Sequence, residues 1–535
     1  MSDVSCLAYV PDRFGVERSR YLLCEPDGTE RELAAVDVGA HPSKLLTYDL
    51  SGLVDDLRRV GVAPPLNVFD IGDAVRLLVG KSKDDGGGRV GSVWARLKLW
   101  FDERADGESF ERIAIGRDAR PENVELSRLL RAALRALVLF WRDLRERLEH
   151  AGELSRLLEV EWPLHGLFAY RQFHGIRVDT ARATELLARV SAEKYAAYRQ
   201  VAEILNRNPT GLTFWNVGPY LSVTDVAELV TFEAGGRLQE AFEIVAFRSK
   251  FAAAFLSFVK AGRSEAIVRR ALGEEQRLFP MFEVMGTVTG RVLVSDPFWQ
   301  QLGRSHRSLI LPDEGKRLVY LDYAQFEPGV LAGLADDDDF LQMYNDGDVY
   351  DALAIRLFAD RAKRREAKRI FLAFLYGMSP ERLASMVLGF SGAEDDQRKY
   401  AEEINRFFRA YPGLEAFRAR QEAGLHAAGF VASAHGNRRV RVATGSLTPR
   451  EKRWALNQPI QATAALIFKE ALLKISEKYG PDDILLPMHD AILMQISDDE
   501  GADAKMADVK RLMTAAFVHR LPGVNVRITD SAFAE

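Results

Sequence analysis

Two aspartates stand where apolar, strand-like runs end, and their carboxylates could share divalent metal ions. Asp322 ends the run LVYLD, and Asp490 lies between the runs DILLPM and AILMQI. Asp is rarely buried without a partner, and two adjacent carboxylates repel unless a divalent cation lies between them. Mg²⁺ prefers a couple of carboxylates together with phosphate oxygens and water. On these two positions alone, two separately solvated turn aspartates are the better interpretation.

The segment 364–377, RREAKRIFLAFLYG, favours the metal hypothesis because it could bind a nucleotide. Arg364, Lys368, Leu372 and Tyr376 recur every four residues, so they follow one slowly winding face of a helix. Such a face could hold a triphosphate on its two cations and stack a base toward its apolar and aromatic end. A solvated basic turn followed by a core helix is the alternative. Together with the paired carboxylates, the segment indicates a nucleotide site.

Strands must position the two aspartates. The runs at 316–323, 483–488 and 491–496 are typical of buried strands embedded among helices. Only His489-Asp490 separates the last two runs, which is the spacing of a tight β-hairpin, although the usual glycine is missing. The sequence therefore predicts a hairpin with an irregular turn that carries Asp490.

The first half of the chain is organised differently. Residues 1–80 alternate short strands and helices, as an α/β unit does, and residues 122–158 show the apolar spacing of one long helix. Asp179-Thr180 is typical of a helix N-cap, and that helix is predicted to run to about Asn206. We place a domain boundary near 150–160. The glycine-rich stretch 81–92 lacks phosphate-loop spacing and is predicted to be a mobile loop.

Composition restricts the class of protein. The chain has 535 residues, 47% of them hydrophobic and 28% charged, which excludes collagen, a disulfide scaffold and wholesale disorder. Cys6 and Cys24 are too few for a disulfide framework or a cysteine-rich zinc site, so we expect a reducing compartment. Neither a membrane-spanning run nor a signal peptide is evident. The net charge of −5 argues against a polyanion partner, but the basic runs 361–369 and 437–453 provide local positive charge.

Six segments, in order, resemble family A DNA polymerases, the group of bacterial DNA polymerase I. LDYAQFEPGVLAGLADD (321–337), RREAKRIFLAFLYGMSPERLA (364–384) and MHDAILMQI (488–496) are similar to the family's motifs A, B and C. Supporting matches are VEWPLHGLFAYRQFHGIRVD (160–179), TVTGRVLVSDPFWQQL (287–302) and NQPIQATAALIFKEAL (457–472). The resemblance covers roughly 155–535.

The resemblance implies a two-metal phosphoryl transfer that extends a primed DNA template with dNTPs. Asp322 and Asp490 would be the catalytic, metal-binding carboxylates, and the backbone carbonyl of Tyr323 a further ligand. The cofactor would be two Mg²⁺ ions, for which Mn²⁺ can substitute. The remaining assignments are to the dNTP (Arg364, Lys368, Leu372, Tyr376, Glu327 as the steric gate against a ribose 2′-OH, Gln325 and Tyr350) and to the primer–template (Arg291, Gln461, His489, Asn457, Arg438 and Arg439).

The chain departs from the family's pattern at several positions around the nucleotide. The aromatic stacking residue of the fingers helix is here Leu372, flanked by Phe371 and Ala373 where the family has Asn and Gly. Ala491 follows the motif C aspartate in place of an acidic residue, and Tyr350 aligns with a triphosphate-contacting His. These differences leave nucleotide affinity, sugar discrimination and base selectivity open, but not the reaction class.

By the same resemblance, the N-terminal 150 residues would correspond to the family's 3′–5′ exonuclease domain, in a degenerate form. The first strand lacks the Asp-x-Glu pair that binds metal there, and the Tyr-x3-Asp motif is also missing. Asp70 and Asp73 could bind metal, but a helix N-cap and a solvated helix position are the better interpretations. We therefore expect no proofreading, and no 5′ nuclease.

The predicted fold is α/β (α+β): a right-hand polymerase of palm, fingers and thumb, preceded by the exonuclease-like α/β domain. The expected domains are exonuclease-like (1–154), thumb (155–280), first palm part (281–334), fingers (335–430) and second palm part (431–535). We expect a monomer in the cytoplasm of a bacterium or a phage-infected host, without membrane contact.

Three rival functions remain. A single-subunit RNA polymerase needs a small residue at Glu327, and a reverse transcriptase would lack the fingers helix. A non-catalytic DNA-binding relic would have lost the aspartates. Within the family, a specialised repair, translesion or altered-base phage polymerase is the alternative role.

Overall fold

The computed structural model describes residues 3–12, 18–80, 93–214, 216–223, 225–226, 242, 245–246, 249–272, 276–296, 298–375, 377–388 and 394–533. The glycine-rich stretch 81–92, predicted to be a loop, lies outside the described residues. None of the helices in the ranges above has both the length and the apolar character that a membrane crossing requires.

A five-stranded mixed sheet forms the core of the N-terminal part. Its strands are β1 (Val4–Val10), β2 (Arg20–Cys24), β3 (Glu30–Leu33), β4 (Lys44–Thr47) and β5 (Val68–Asp70), in the order β3-β2-β1-β4-β5. β1 is antiparallel to β2 and parallel to β4. The helices are α1 (Ala35–Gly39), α2 (Leu50–Arg59), α3 (Ile71–Val79), α4 (Val93–Leu97), α5 (Arg104–Ala114) and α6 (Asn123–His150). The predicted α/β alternation over 1–80 is confirmed.

The long helix predicted over 122–158 ends earlier than expected. α6 stops at His150, and Gly152 with φ of 69° turns the chain away. A short helix α7 (Leu154–Arg156) and a π-helical turn (Leu157–Glu161) follow and lead into α8 (Trp162–His174). The apolar periodicity that suggested one helix continues across this break because α6, the π turn and α8 pack on the same core.

Two long helices, α9 (Thr180–Leu205) and α10 (Lys250–Arg270), pack against each other through shared apolar clusters. The predicted cap is confirmed, because the Asp179 side chain accepts from the Arg182 N–H at 2.8 Å. α9 ends at Leu205, close to the predicted end at about Asn206, and Asn206 caps it in a left-handed conformation. The short strands nearby are β6 (Ile176–Arg177), β7 (Arg277–Leu278), β8 (Met281–Glu283) and β9 (Leu293–Ser295), paired as β6-β7 and β8-β9.

A four-stranded antiparallel sheet lies at the centre of the C-terminal part. In chain order its strands are β10 (Lys316–Ala324), β13 (Ile484–Met488), β14 (Ala491–Ser497) and β15 (Arg527–Ser531), and the spatial order is β13-β14-β10-β15. Between β10 and β13 a small pair is formed by β11 (Phe430–Val431) and β12 (Arg439–Val440). The predicted strands and the hairpin at His489-Asp490 are confirmed.

The C-terminal part also contains most of the helices that surround this sheet and extend away from it. They are α11 (Phe326–Leu334), α12 (Asp338–Asp346), α13 (Val349–Phe358), α14 (Arg364–Leu375), α15 (Pro380–Leu388), α16 (Glu394–Arg409), α17 (Pro412–Ala428), α18 (Pro449–Tyr479) and α19 (Ala502–Arg520). Short 3₁₀ turns occupy 98–100, 218–220, 299–301, 304–309 and 361–363. One apolar cluster contains side chains from the sheet and from α11, α12, α13, α14, α18 and α19. The strands that carry the two aspartates therefore rest on a single continuous core.

Candidate active site

The pairing of β10 with β14 brings the two aspartates to the same end of the sheet. Asp322 lies opposite Ala491, so it is adjacent to Asp490 in the hairpin turn. His489 adopts a φ of 62° and thereby makes the turn without the glycine that such turns usually contain. The Tyr323 N–H also points to the Asp490 carbonyl oxygen at 3.4 Å. The two predicted carboxylates therefore share one site.

Alternation along β10 explains why Asp322 faces this site. Val319, Leu321 and Tyr323 are buried on the helix-covered face, and Leu318 and Tyr320 pack on a second apolar cluster across the sheet. Asp322 continues the second face where that cluster ends. Its neighbour Tyr323 is anchored on the other side, where its hydroxyl donates to the Met513 carbonyl at 2.8 Å.

The pKa values of both carboxylates are raised, because burial disfavours their charged forms. Burial raises the pKa of Asp322 to about 6, and the charge of Asp490 adds to the rise. Burial likewise raises the pKa of Asp490, although Arg291 opposes it. The positive charge of Lys368 stabilises both carboxylates, which places this fingers-helix cation within electrostatic reach of the pair.

Arg291 connects the predicted steric gate to the carboxylates. Its Nη2 lies 2.7 Å from Glu327 Oε1 and 3.9 Å from Asp490 Oδ1. Glu327 is buried in the first turn of α11, which starts at Gln325 in a left-handed conformation. The side-chain oxygen of Gln325 accepts from the Val349 N–H at 2.8 Å, so this residue ties α11 to the start of α13.

The start of α14 carries the two predicted triphosphate cations over the ring of Tyr350. The Arg364 guanidinium is 5.2 Å from that ring's centroid, and the Lys368 ammonium is 5.7 Å away. Arg364 also donates to Asp348 Oδ2 at 2.7 Å, and Asp348 caps α13 through the Tyr350 and Asp351 N–H groups. Tyr350 thus lies beneath both cations.

The remainder of α14 forms apolar contacts. Phe371 is buried against Phe340, Tyr350 and Phe408, while Leu372 is half-buried on the same core. Leu372 therefore presents an aliphatic surface at the position predicted to meet the base. Tyr376, the last residue of the predicted stripe, lies outside the described residues.

Besides Arg291, the predicted DNA-contacting residues lie on three segments: the hairpin turn, α18 and the loop that leads into β12. His489 is exposed in the hairpin turn, and Asn457 and Gln461 are partly exposed on α18. Arg438 and Arg439 are half-exposed beside β11, with their guanidinium groups 4.5 Å from the ring centroids of Phe430 and Trp454, respectively.

Several residues that hold this arrangement were not found from the sequence. Gln300 Nε2 donates to the carbonyls of Val292 and Pro487, at 2.9 and 3.0 Å, and so joins the Arg291 segment to the hairpin. Gln458 Nε2 donates to the Val288 carbonyl at 3.0 Å and joins α18 to the same segment. Both glutamines lie inside the supporting motifs, but nothing in their spacing indicated their partners.

Both N-terminal aspartates accept hydrogen bonds from backbone N–H groups, and one prediction about them is wrong. Asp70 caps α3, as predicted, and accepts from the Gly72 and Leu50 N–H groups at 2.7 and 2.9 Å. Asp73 was predicted to be a solvated helix residue, yet it is buried. It accepts from the Met285 N–H at 2.9 Å and lies 3.1 Å from His165 Nε2. These partners come from distant segments of the chain, so the position of Asp73 on its helix did not indicate that it would be buried.

The titration of this pair follows from the same contacts. Burial alone would raise the pKa of Asp73, but hydrogen bonding and the charge of His165 lower it to about 2. Burial and the charge of Asp73 raise the pKa of Asp70 to about 6. Both residues line a cavity of about 410 Å³ between the N-terminal sheet and the segment 281–295.

The comparison with known sequences names the family to which this fold, with its adjacent carboxylates, belongs. The model of DNA polymerase family A matches residues 240–531, more than half of the chain. The chain belongs to this family.

Individual relatives agree with this assignment. The chain is 27% identical over 392 residues to a thermostable DNA polymerase I of Thermus filiformis, covering 68% of this chain and 46% of the relative. It is 28% identical over 392 residues to DNA polymerase I of Pseudomonas aeruginosa, covering 66% and 42%. The chain thus spans less than half the length of these relatives.

One solved structure resembles the whole fold. It is the POL domain of Pol1 from M. smegmatis in complex with DNA primer-template and dNTP, with a TM-score of 0.72, 18% identity, and coverage of 99% of this chain and 95% of that one. This likeness extends over the N-terminal sheet as well as the C-terminal part, and it supports the predicted α/β right-hand fold.

Proposed function

We propose that this protein is a DNA-directed DNA polymerase that extends a DNA primer with dNTPs. The observation that carries the proposal is the adjacency of Asp322 and Asp490 on paired strands, with the charge of Lys368 acting on both. Two carboxylates within reach of a basic helix suit a substrate that brings its own phosphates and metal ions.

The donor set fits Mg²⁺. Asp322 and Asp490 offer hard oxygen ligands, and each is destabilised in its charged form by burial, which a bound cation would relieve. In the described ranges no group of three or more His, Cys, Asp or Glu could hold a metal. A pair of carboxylates completed by phosphate and water oxygens is the arrangement that Mg²⁺ accepts. When bound, two such ions would activate the primer 3′-hydroxyl and neutralise the triphosphate and the leaving pyrophosphate.

The other residues would bind and orient the substrates. Arg364 and Lys368 would hold the triphosphate, Tyr350 would support both cations, and Leu372 would meet the base. Glu327, fixed by Arg291, would fill the space that a ribose 2′-OH needs. Arg438, Arg439, His489, Asn457 and Gln461 would contact the primer–template, largely through its phosphates.

We further propose the domain division given above, with residues 1–154 as a degenerate exonuclease-like domain that does not proofread. This is supported by β1, whose sequence VSCLAYV contains no carboxylate, and by the structural roles of Asp70 and Asp73. We propose that the protein acts as a monomer.

A specialised repair, translesion or altered-base role within the family is favoured by one feature, the aliphatic Leu372 beside the buried Phe371.

Primer extension tests this proposal. A labelled primer on a DNA template is incubated with Mg²⁺ and dNTPs, then with NTPs, and finally on an RNA template. We expect extension with dNTPs on DNA alone, because Glu327 disfavours the ribose of an NTP. Efficient use of NTPs would indicate an RNA polymerase, and efficient use of the RNA template a reverse transcriptase.

Matched variants show whether the activity belongs to this site. Asp322→Ala and Asp490→Ala should reduce extension at least about a thousandfold, a barrier increase of about 4 kcal/mol. Both should still bind primer–template, because phosphate contacts supply most of that affinity. Asp498→Ala is the control, since Asp498 is exposed and lies near the opposite end of β14. Extension near the parent rate by either active-site variant would refute the assignment.

A further inference from the structure

The loop of residues 432–440, here the Arg438 loop, carries two of the proposed DNA-contacting arginines and is held by contacts with other segments. Gly436 and Asn437 are consecutive left-handed residues, with φ of 68° and 55°. Within the loop, the Ser433 N–H donates to the Gly436 carbonyl at 3.0 Å. Glycine adopts this region freely and Asn does so at a small energetic cost, so contacts with other segments can select this one loop conformation.

Glu153, just after α6, provides the first of these contacts. One carboxylate oxygen accepts from the Asn437 N–H at 2.8 Å, and the other accepts from the Arg438 N–H at 3.1 Å. The side chain of Glu153 is 1% exposed, so these hydrogen bonds are shielded from water. A Cβ on Gly436 would lie 2.4 Å from Glu153 Oε2, so the close approach itself excludes a larger residue there.

Arg156 provides the second contact. Its Nη1 donates to the His435 carbonyl at 2.8 Å and to Ser433 Oγ at 3.1 Å. Its Nε donates to Glu161 at 2.8 Å, and Glu161 also accepts from Lys469 Nζ of α18 at 2.6 Å. The π-helical turn brings Arg156 and Glu161, five residues apart, onto the same side.

The contacts of Arg156 belong to a buried ionic network that also includes Glu161 and Lys469. The side chains of Arg156, Glu161 and Lys469 are completely buried, and a buried charge network is seldom a net source of stability. Such a network does fix geometry, because each partner holds the next in one orientation.

The far end of the loop is held by the N-terminal part. The Val440 N–H donates to the Gly80 carbonyl at 2.7 Å, immediately after α3. Arg438 lies between these attachments, with Nε 3.5 Å from Glu153 and its guanidinium over Phe430. The N-terminal part and the segment after it thus hold both ends of the Arg438 loop.

We propose that Glu153 and Arg156 are positioning residues that fix the Arg438 loop for contact with the phosphates of duplex DNA, so that the N-terminal domain, through Glu153, contributes to DNA affinity without nuclease chemistry. This inference rests on the proposed function, since it assumes that the polymerase domain binds primer–template. In this proposal Glu153 and Arg156 hold the backbone of the loop, whereas Arg438 and Arg439 contact the DNA.

The test compares Glu153→Gln with the parent and with Glu149→Gln, a control at an exposed site at the end of α6. A glutamine side chain has one acceptor oxygen where the carboxylate has two, so its NH₂ group would face the second backbone N–H and could not accept from it. We expect the Kd for primer–template to rise about tenfold and the slope of log K against log salt to become shallower by about one. The dNTP KM at saturating DNA should be unchanged. A higher Kd for primer–template with an unchanged dNTP KM is a combination that general loss of structure would not produce.

A second readout does not depend on DNA. Limited trypsin digestion of the folded protein should cleave after Arg438 or Arg439 faster in Glu153→Gln than in the parent or in Glu149→Gln. Gly436→Ala attacks the same contact from the loop side and should give the same changes in Kd and cleavage, which keeps the proposal testable if Glu153→Gln does not fold.

The outcomes separate the inference from the function on which it rests. Unchanged Kd and unchanged cleavage in a folded Glu153→Gln or Gly436→Ala variant would overturn the inference. Faster cleavage with an unchanged Kd would overturn its DNA-binding part. A parent protein that binds no primer–template would overturn the proposed function, whereas the trypsin comparison would still decide whether Glu153 fixes the loop.

Discussion

Arg291 and Glu327 form an ion pair in which Nη2 lies 2.7 Å from Oε1, although 36 residues separate them in the chain. Glu327 is buried at the start of α11, and the same guanidinium lies 3.9 Å from Asp490. The carboxylate of the proposed steric gate is therefore held in place beside Asp490, one of the two proposed metal-binding carboxylates. A gate fixed in this way can exclude a hydroxyl by its volume.

The first prediction separates volume from charge at this gate. Glu327→Ala should raise ribonucleotide incorporation relative to deoxyribonucleotide by about tenfold or more, which corresponds to about 1.4 kcal/mol. Glu327→Gln should keep the parent's discrimination, because it preserves the volume and can still accept from Arg291. The measurement is the ratio of kcat/KM for dNTP and rNTP in the three proteins. An unchanged ratio in Glu327→Ala would show that another group excludes the ribose.

The elements of this site could be predicted because their signals are local. Alternation identifies β10, the two-residue gap identifies the hairpin, and Asp179 identifies the start of α9. The pairing of Arg364 with Asp348 and the burial of Asp73 could not be predicted. Both depend on segments that meet only in the folded chain, and periodicity says nothing about which surfaces meet.

The second prediction concerns Tyr350, which lies beneath Arg364 and Lys368. Tyr350→Leu should raise the KM for dNTP about tenfold with a smaller effect on kcat, because two cation–π contacts of about 0.5–1 kcal/mol each are lost. Tyr350→Phe retains the aromatic face and is the matched control. The measurement is steady-state incorporation of one nucleotide at saturating DNA. Equal KM values for the Leu and Phe variants would mean that the ring does not support the cations.

The third prediction follows from the raised pKa of Asp322. The folded-state pKa of about 6 lies above the ordinary value of 3.8, so the folded protein binds this proton more tightly than the unfolded chain does. The stability associated with the protonated carboxyl is therefore present below pH 3.8 and is lost as the pH rises to about 6. Asp322→Asn removes this loss because its side chain does not ionise.

We therefore expect Asp322→Asn to be more stable than the parent at pH 8 in EDTA, by about 1–2 kcal/mol once partial solvent exposure is allowed for. The difference should be about half as large near pH 5 and close to zero at pH 4. Denaturant unfolding at the three pH values measures it, and Asp498→Asn is the control for a surface carboxylate. A variant less stable than the parent at pH 8 would contradict the raised pKa.

The fourth prediction is that the N-terminal domain does not excise mismatched nucleotides. Excision by this type of domain uses metal ions held by several carboxylates, and β1 contributes none, since its sequence is VSCLAYV. Asp70 accepts two backbone N–H groups, and Asp73 is engaged by Met285, His165 and Arg76. These carboxylates hold helices and domains together and are poorly placed to gather metal ions.

A primer with a 3′ mismatch, incubated with Mg²⁺ but without dNTPs, should therefore keep its length over many polymerase turnovers. The assay is run in the Asp322→Ala background, because pyrophosphorolysis at the polymerase site could also shorten a primer. Shortening that persists in this background and disappears in Asp322→Ala/Asp70→Asn would locate a working second site at the cavity between the N-terminal sheet and the segment 281–295. Asp70 would then have to exchange a backbone hydrogen bond for a metal ion, and burial, which raises its pKa to about 6, makes that exchange depend on pH. Any such excision should consequently weaken below pH 6.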